Sequence, residues 1–320
     1  MRKEEKKHHR SDREFLPARG RSDVSMISPY QALKILGREP ARSLGQHFLI
    51  HQATAEKIAA AVCPGPGDVV VEIGSGLGAL TVPLSRSGAR VVAVEIDPRL
   101  ADFLGQQLRA VSSSGLVSIE CTDVLQLDLP ELCRRFHRKL KIVGNLPYNI
   151  SSPVLFKLMA ESDSIQQAVL MLQDEVAERL LAAPGGRDYG ILSVMVAYHS
   201  EASRFTRLKA SQFYPPPRVD STVVRLCFRP CPLEPRVNAD WLLRVVKAAF
   251  GYRRKTVRNS LLTSKRADFP GELLDAALEE AGVDPGRRPE SLSLQEFLNL
   301  AQALQTSSLT RKESHGNIVY

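Results

Sequence analysis

Val69-Val70-Val71-Glu72-Ile73 constrains the fold of this 320-residue chain more than any other stretch. A continuous β-branched run predicts a strand covered on both faces, the kind found in parallel sheets. It leads into Gly74-Ser75-Gly76-Leu77-Gly78, after which the pattern is helical to position 84. The same order then repeats. Residues 91–95 read as a second strand, followed by Asp97-Pro98 and a helix to 108. Residues 117–120 form a short third strand ending near Asp123; 140–143 are a fourth and 168–172 a fifth. Strands alternating with helices predict an α/β fold with a parallel, doubly wound sheet.

Further along, 189–199 read as a helix, 201–208 as a strand and 222–228 as an alternating, closing strand. Phe213-Tyr214-Pro215-Pro216-Pro217 reads as a stiff loop, because proline fixes φ and removes donors. After Pro235 the texture changes to helical patterns at 239–250, 254–263, 271–282 and 293–304. Four segments follow: a disordered basic extension (1–40), the α/β domain (41–235), a small all-helical domain (236–305) and a disordered tail (306–320). Residues 1–25 carry eight basic and five acidic side chains and no apolar core of a secretory signal. Met26, just before Ile27-Ser28-Pro29, is a candidate translation start.

A net charge of +8 permits a polyanionic partner without requiring one. No apolar run is long enough for a transmembrane helix. Five cysteines form no CxxC pair, so they are expected to be reduced and mostly buried thiols of a cytoplasmic protein, with no metal site.

The glycine turn lets a ligand approach the backbone closely. Glu95 ends the next strand, about twenty residues on, where a carboxylate accepts both ribose hydroxyls of a nucleoside cofactor. By spacing alone this is equally a nicotinamide dinucleotide site, although the glycines make GxGxG rather than GxGxxG. Asp123 ends the third strand at the same edge, placed to accept from an adenine amino group or simply to cap a turn. Asn145-Leu146-Pro147-Tyr148 follows the fourth strand and combines an amide, a proline-fixed backbone and an aromatic ring.

That tetrad resembles the catalytic motif of adenine-N6 methyltransferases that use S-adenosylmethionine. The likeness extends through residues 44–49, 72–78, 145–151 and 213–221, and through 249–256 with Arg258-Asn259-Ser260-Leu261. Together, across about residues 40–305, these segments resemble the KsgA family of ribosomal RNA small-subunit adenine dimethyltransferases. The resemblance implies a Rossmann-like class I methyltransferase domain followed by a helical RNA-binding domain, and S-adenosylmethionine with no metal. It implies the methionine part of that cofactor near His47, Leu49, Gly74 and Gly76, its ribose on Glu95, its adenine on Asp123 and its methyl group near Asn145. The family usually carries Asn where this chain has His47; an imidazole retains one donor.

The target N6 is a poor nucleophile, because its lone pair is delocalised into the ring. Acceptors aimed at its N–H groups, the Asn145 side chain and the Leu146 carbonyl, would stabilise the charge that develops there. Pro147 biases Leu146 to an extended conformation. Tyr148 is expected to stack on the base and Phe213 to cover its other face. Arg253, Arg254, Lys255, Arg258, Lys265 and Arg266 are expected to contact phosphates. The expected activity is dimethylation of two adjacent adenosines in the 3′-terminal hairpin of small-subunit RNA, by a monomer acting on a pre-ribosomal particle. The alternatives are an Erm-type enzyme acting on large-subunit RNA and a noncatalytic RNA-binding assembly factor.

Overall fold

The computed structural model describes residues 27–111, 116–229, 237–252, 254–264 and 269–316. Among them the strands are β1 (Phe48–Leu49), β2 (Val69–Ile73), β3 (Arg90–Glu95), β4 (Val117–Cys121), β5 (Leu140–Asn145), β6 (Ile165–Gln173), β7 (Ser200–Leu208), β8 (Phe213–Tyr214) and β9 (Ser221–Phe228). The helices are α1 (Pro29–Ile35), α2 (Gln52–Ala61), α3 (Thr81–Ser85), α4 (Pro98–Val111), α5 (Leu129–Phe136), α6 (Ser151–Ala160), α7 (Asp174–Leu181), α8 (Ile191–His199), α9 (Ala239–Ala249), α10 (Val257–Thr263), α11 (Gly271–Glu280) and α12 (Leu294–Gly316).

Seven strands form one sheet in the order β4-β3-β2-β5-β6-β9-β7. β4 to β6 pair in parallel, as the β-branched runs predict, but β9 is antiparallel to both β6 and β7. The five strands expected to be parallel are so, and β9 and β7, for which the sequence implies no direction, make the sheet mixed. The polar alternation of 201–208 is the visible reason: β7 lies at the sheet's edge with much of its length exposed, and antiparallel sheets tolerate a wet face.

Strand alternation sorts the core into layers. Val69, Val71 and Ile73 of β2, with Ala168, Leu170 and Leu172 of β6, face the cluster that also holds Val154 and Leu158 of α6 and Val194 of α8. Val70, Val169 and Met171 face the opposite cluster, with Ala55 and Ile58 of α2 and Leu84 of α3. Each fully buried Val or Ile contributes about 1.5–3 kcal/mol. The first cluster continues without a break into the C-terminal helices, taking in Leu242, Val245, Phe297 and Leu300. Trp241 Nε1 donates to the Ala301 carbonyl at 2.7 Å, and Phe250 stacks on Phe297 with centroids 5.8 Å apart.

Three boundaries differ from expectation. Residues 29–35 are helical rather than disordered, because Pro29 opens α1 and Ser28 and Gln31 form a capping box. Leu33 of α1 then packs on Phe48 and Leu100. The expectation for residues 1–26 falls outside the described residues. α12 continues to Gly316, so the segment 306–316 is helix, not irregular tail; it carries no proline or glycine before 316 to stop it. Phe213-Tyr214 opens the proline-rich segment as a strand, pairing Phe48 with Tyr214 and Leu49 with Phe213. Of the cysteines, Cys63, Cys121 and Cys227 are exposed and Cys133 half-buried, contrary to the expected burial; Cys121 ends the edge strand β4 and Cys227 lies on the outer side of β9. Cys231 lies outside the described residues. No helix among the described residues is long and apolar enough to cross a membrane.

Candidate active site

In open α/β sheets ligands bind beyond the carboxyl ends of the strands. A groove there is lined by Gly74, Ser75 and Gly76 after β2, Glu95 after β3, Asp123 after β4 and Asn145 with Pro147 after β5, and it is roofed by residues 44–49. His47 and Leu49 thus reach the groove as expected. A larger hollow of about 660 Å³, with Asp68 and Lys139 in its wall, opens at the other end of the strands and lacks this convergence of strand ends.

Gly74, Gly76 and Gly78 all have positive φ, which lets the turn fold back over the sheet edge. The closest approach is at Gly78, where a Cβ would lie 2.6 Å from Leu104 Cδ1; at Gly76 it would lie 3.1 Å from the Phe48 ring. The Gly76 amide donates to Glu95 Oε2 at 2.8 Å and the Asp97 amide to Oε1 at 2.9 Å. Both carboxylate oxygens are thereby aimed, each with a lone pair to spare. Burial nevertheless raises the Glu95 pKa, against the pull of those two amides. Asp123 caps the turn after β4 by accepting from the Leu125 amide at 2.9 Å and also lines the groove.

The roof is pinned by Asp97, a residue the sequence reading passed over. Arg38 donates to Asp97 Oδ2 at 2.5 Å, and Gln46 donates to the same oxygen at 3.3 Å. Burial pushes the Asp97 carboxyl up, but the Arg38 guanidinium outweighs it and holds the value below the usual range.

Glu72 was also missed, although a lone charge in a buried β-branched run is itself a signal. It is 1% exposed, and burial, opposed by Thr81 and reinforced by nearby Glu95, pushes its pKa up to about 8. Its Oε2 and the Ser75 hydroxyl have no hydrogen-bond partner among the described residues, and both residues line the groove. Buried orphan polar atoms of this kind fit a ligand with its own ammonium and carboxylate groups, such as the methionine end of S-adenosylmethionine. With the folded-state pKa above the ordinary 4.5, the folded chain holds a proton that the unfolded chain releases. Stability of the ligand-free protein therefore falls as pH rises from about 4.5 to 8. Glu72→Gln should raise the melting temperature by several degrees at pH 8 and hardly at all at pH 4.5. A pH-independent difference in melting curves would contradict this.

Asn145 ends β5, and its Nδ2 donates to the His47 carbonyl at 2.6 Å. With Nδ2 as the donor, Oδ1 is left as an acceptor on a residue that lines the groove. Leu146 is 1% exposed and anchors the turn in the core, and its carbonyl is left without a donor among the described residues. Tyr148 is half-buried; its hydroxyl is 3.1 Å from Ser221 Oγ, and its ring stacks on His47 with centroids 5.2 Å apart. Burial raises the Tyr148 phenol, tempered by the Ser221 contact.

Phe213 does not join them. It is 2% exposed and packed among Leu49, Val143, Met171 and Val223. Its place in β8 turns the ring into the core, which corrects the expectation that it covers the second face of a bound base. In the helical region, Arg254 and Lys255 are exposed, the latter with Nζ 4.7 Å from the Tyr252 ring centroid. Arg258 is instead held by Asp275 through two hydrogen bonds of 2.5 and 2.7 Å, so its charge is compensated within the chain. Arg253, Lys265 and Arg266 lie outside the described residues. No group of His, Cys, Asp or Glu among the described residues is arranged to hold a metal.

Sheet order, glycine turn and strand-end carboxylates define a class I methyltransferase. A dimethyladenosine transferase from Plasmodium falciparum superposes with a TM-score of 0.71 at 26% identity, covering 82% of this chain and 98% of that one. The 23S rRNA methyltransferase ErmE gives 0.60 at 28% identity, covering 81% and 99%. The chain belongs to the ribosomal RNA adenine dimethylase family, whose model matches residues 38–306, and is an rRNA adenine dimethyltransferase. A Ribosomal RNA small subunit methyltransferase A from Pelotomaculum thermopropionicum is 44% identical over 292 residues, 88% of this chain and 97% of that protein. The protein of the same name from Nitrosococcus oceani is 40% identical over 270 residues, 84% and 98%.

Proposed function

We propose that the chain binds S-adenosylmethionine in the strand-end groove and dimethylates N6 of two adjacent adenosines in the 3′-terminal hairpin loop of small-subunit ribosomal RNA, within a pre-ribosomal particle. The observation that carries this reading is the Asn145 amide, on a residue that lines the groove, its nitrogen held by the His47 carbonyl at 2.6 Å and its oxygen left to accept. The small-subunit substrate is favoured by full-length relatives that bear that name.

S-adenosylmethionine, when bound, supplies a methyl group already activated by its sulfonium centre. Glu95 would hold the ribose, Asp123 the adenine, and Glu72 with Ser75 the methionine end. Asn145 Oδ1 and the Leu146 carbonyl accept from the two N6–H groups of the target. Two acceptors there draw the nitrogen lone pair out of conjugation and stabilise the positive charge that grows during transfer. The transferred product loses its proton to water, so no side chain is needed as a base. Tyr148 offers a ring on which the base stacks, and the base must arrive unpaired, since N6 is occupied in a duplex. Arg254 and Lys255 are placed to contact phosphates, which position RNA without reading its sequence.

Purified protein, labelled methyl donor and unmethylated small subunits should yield N6,N6-dimethyladenosine confined to that hairpin. Label found in large-subunit RNA instead would move the protein to the Erm-type reading, and no label in either would leave only a binding role.

A further inference from the structure

We propose that His47 is a positioning residue that closes one face of Tyr148 and thereby dictates the face on which the target base stacks. This rests on the reading of Tyr148 as the base platform. The two rings lie 28° from parallel with centroids 5.2 Å apart, and no other ring contacts Tyr148 among the described residues. His47 Nδ1 is 2.7 Å from the Pro215 carbonyl. A carbonyl only accepts, so Nδ1 carries the hydrogen and the imidazole is locked in plane. The next residue, Phe48, pairs with Tyr214, which ties the same two segments together along the backbone. The phenol is fixed at its tip as well, by Ser221, which is fully buried. Tyr148 is therefore held at its edge by one partner and along one face by another, so that a base can stack only on the face opposite His47.

The geometry matters because a base stacks on either side of an exposed aromatic ring. Asn145, whose amide nitrogen is committed to the His47 carbonyl, is fixed relative to that ring and can meet N6 of a base in one stacked pose only. A base on the wrong face would bind without presenting N6. One residue thus serves the site twice: its backbone aims Asn145 and its ring blocks the unproductive face of Tyr148.

The test is steady-state methylation of unmethylated small subunits by His47→Ala and His47→Phe, with the S-adenosylmethionine Kd measured separately. Opening the second face admits unproductive binding, which lowers kcat and the KM for RNA together. His47→Ala should lose about tenfold in kcat at saturating S-adenosylmethionine, the scale of one base–aromatic stack, with a parallel fall in KM for RNA. His47→Phe, which covers the face without the Pro215 bond, should recover most of the loss. The proposal is overturned if His47→Ala keeps wild-type kcat, if the loss appears only as a weaker cofactor Kd, or if His47→Phe does no better than Ala. Tyr148→Ala is the control for the underlying reading: unchanged turnover in that variant removes Tyr148 as the platform, whatever the His47 variants do.

Discussion

Asn145→Ala should turn over about 10²–10³ times more slowly than the wild type, by analogy with loss of one preorganised group that stabilises transition-state charge. The substitution removes the side-chain oxygen proposed to accept from the N6–H group and leaves the Leu146 carbonyl alone. It also removes the 2.6 Å bond to the His47 carbonyl, at a net cost of about 1 kcal/mol. The melting temperature should therefore move by only a few degrees. Cofactor affinity should stay close to wild type, because Glu95, Asp123 and the glycine turn are untouched. Single-turnover methylation alongside cofactor calorimetry separates these effects. A variant that methylates at near-normal rate would remove Asn145 from the chemistry.

The second large effect is on stability and sits one residue earlier. A Cβ on Gly144 would lie 2.7 Å from the Ile73 carbonyl oxygen and 3.1 Å from Ile73 Cβ. Gly144 is paired in register with Ile73, so β5 would have to move away from β2 in the middle of the sheet. Backbone atoms, unlike the end of a flexible side chain, do not step aside. Gly144→Ala should cost about 2–3 kcal/mol through overpacking, seen as a drop of roughly 3–5 °C in melting temperature for a chain of this size. Activity should suffer in the folded fraction as well, because the strand that shifts carries Asn145 at its end. Unaltered thermal unfolding would show that the two strands have slack that the packing does not suggest.

The parallel half of the sheet and its ligand edge were legible because their signals are local. A β-branched run, a glycine turn and a polar residue at each strand end reveal themselves without knowledge of what packs on them. Glu95, Asp123 and Asn145 lie where that grammar puts them. What escaped depends on partners far away in sequence. Phe213 reads as a loop aromatic because three prolines follow it, and its burial depends on pairing with Leu49. Arg258 belongs to a basic run until Asp275 is found opposite it. Arg38 and Asp97 are ordinary surface types in sequence, and they become a clasp over the groove only in the fold. His47 contributes a backbone carbonyl, a group common to every residue, so no side-chain pattern marks that role.

The apolar cluster that passes from the sheet into the C-terminal helices has a consequence for how the molecule can be divided. Val194, Val245 and Phe297 belong to one contiguous body of buried side chains. Cutting the chain before α9 would leave the sheet half with a bare apolar flank and the helical half with nothing to fold against. Melting should accordingly be a single cooperative event, and a blow to α12 should be felt at the methyl-transfer site. In evolutionary terms the helical part is not a detachable reader of RNA but a wall of the same building. An exchange with another enzyme's helices would have to carry over the matching face of α8 to succeed.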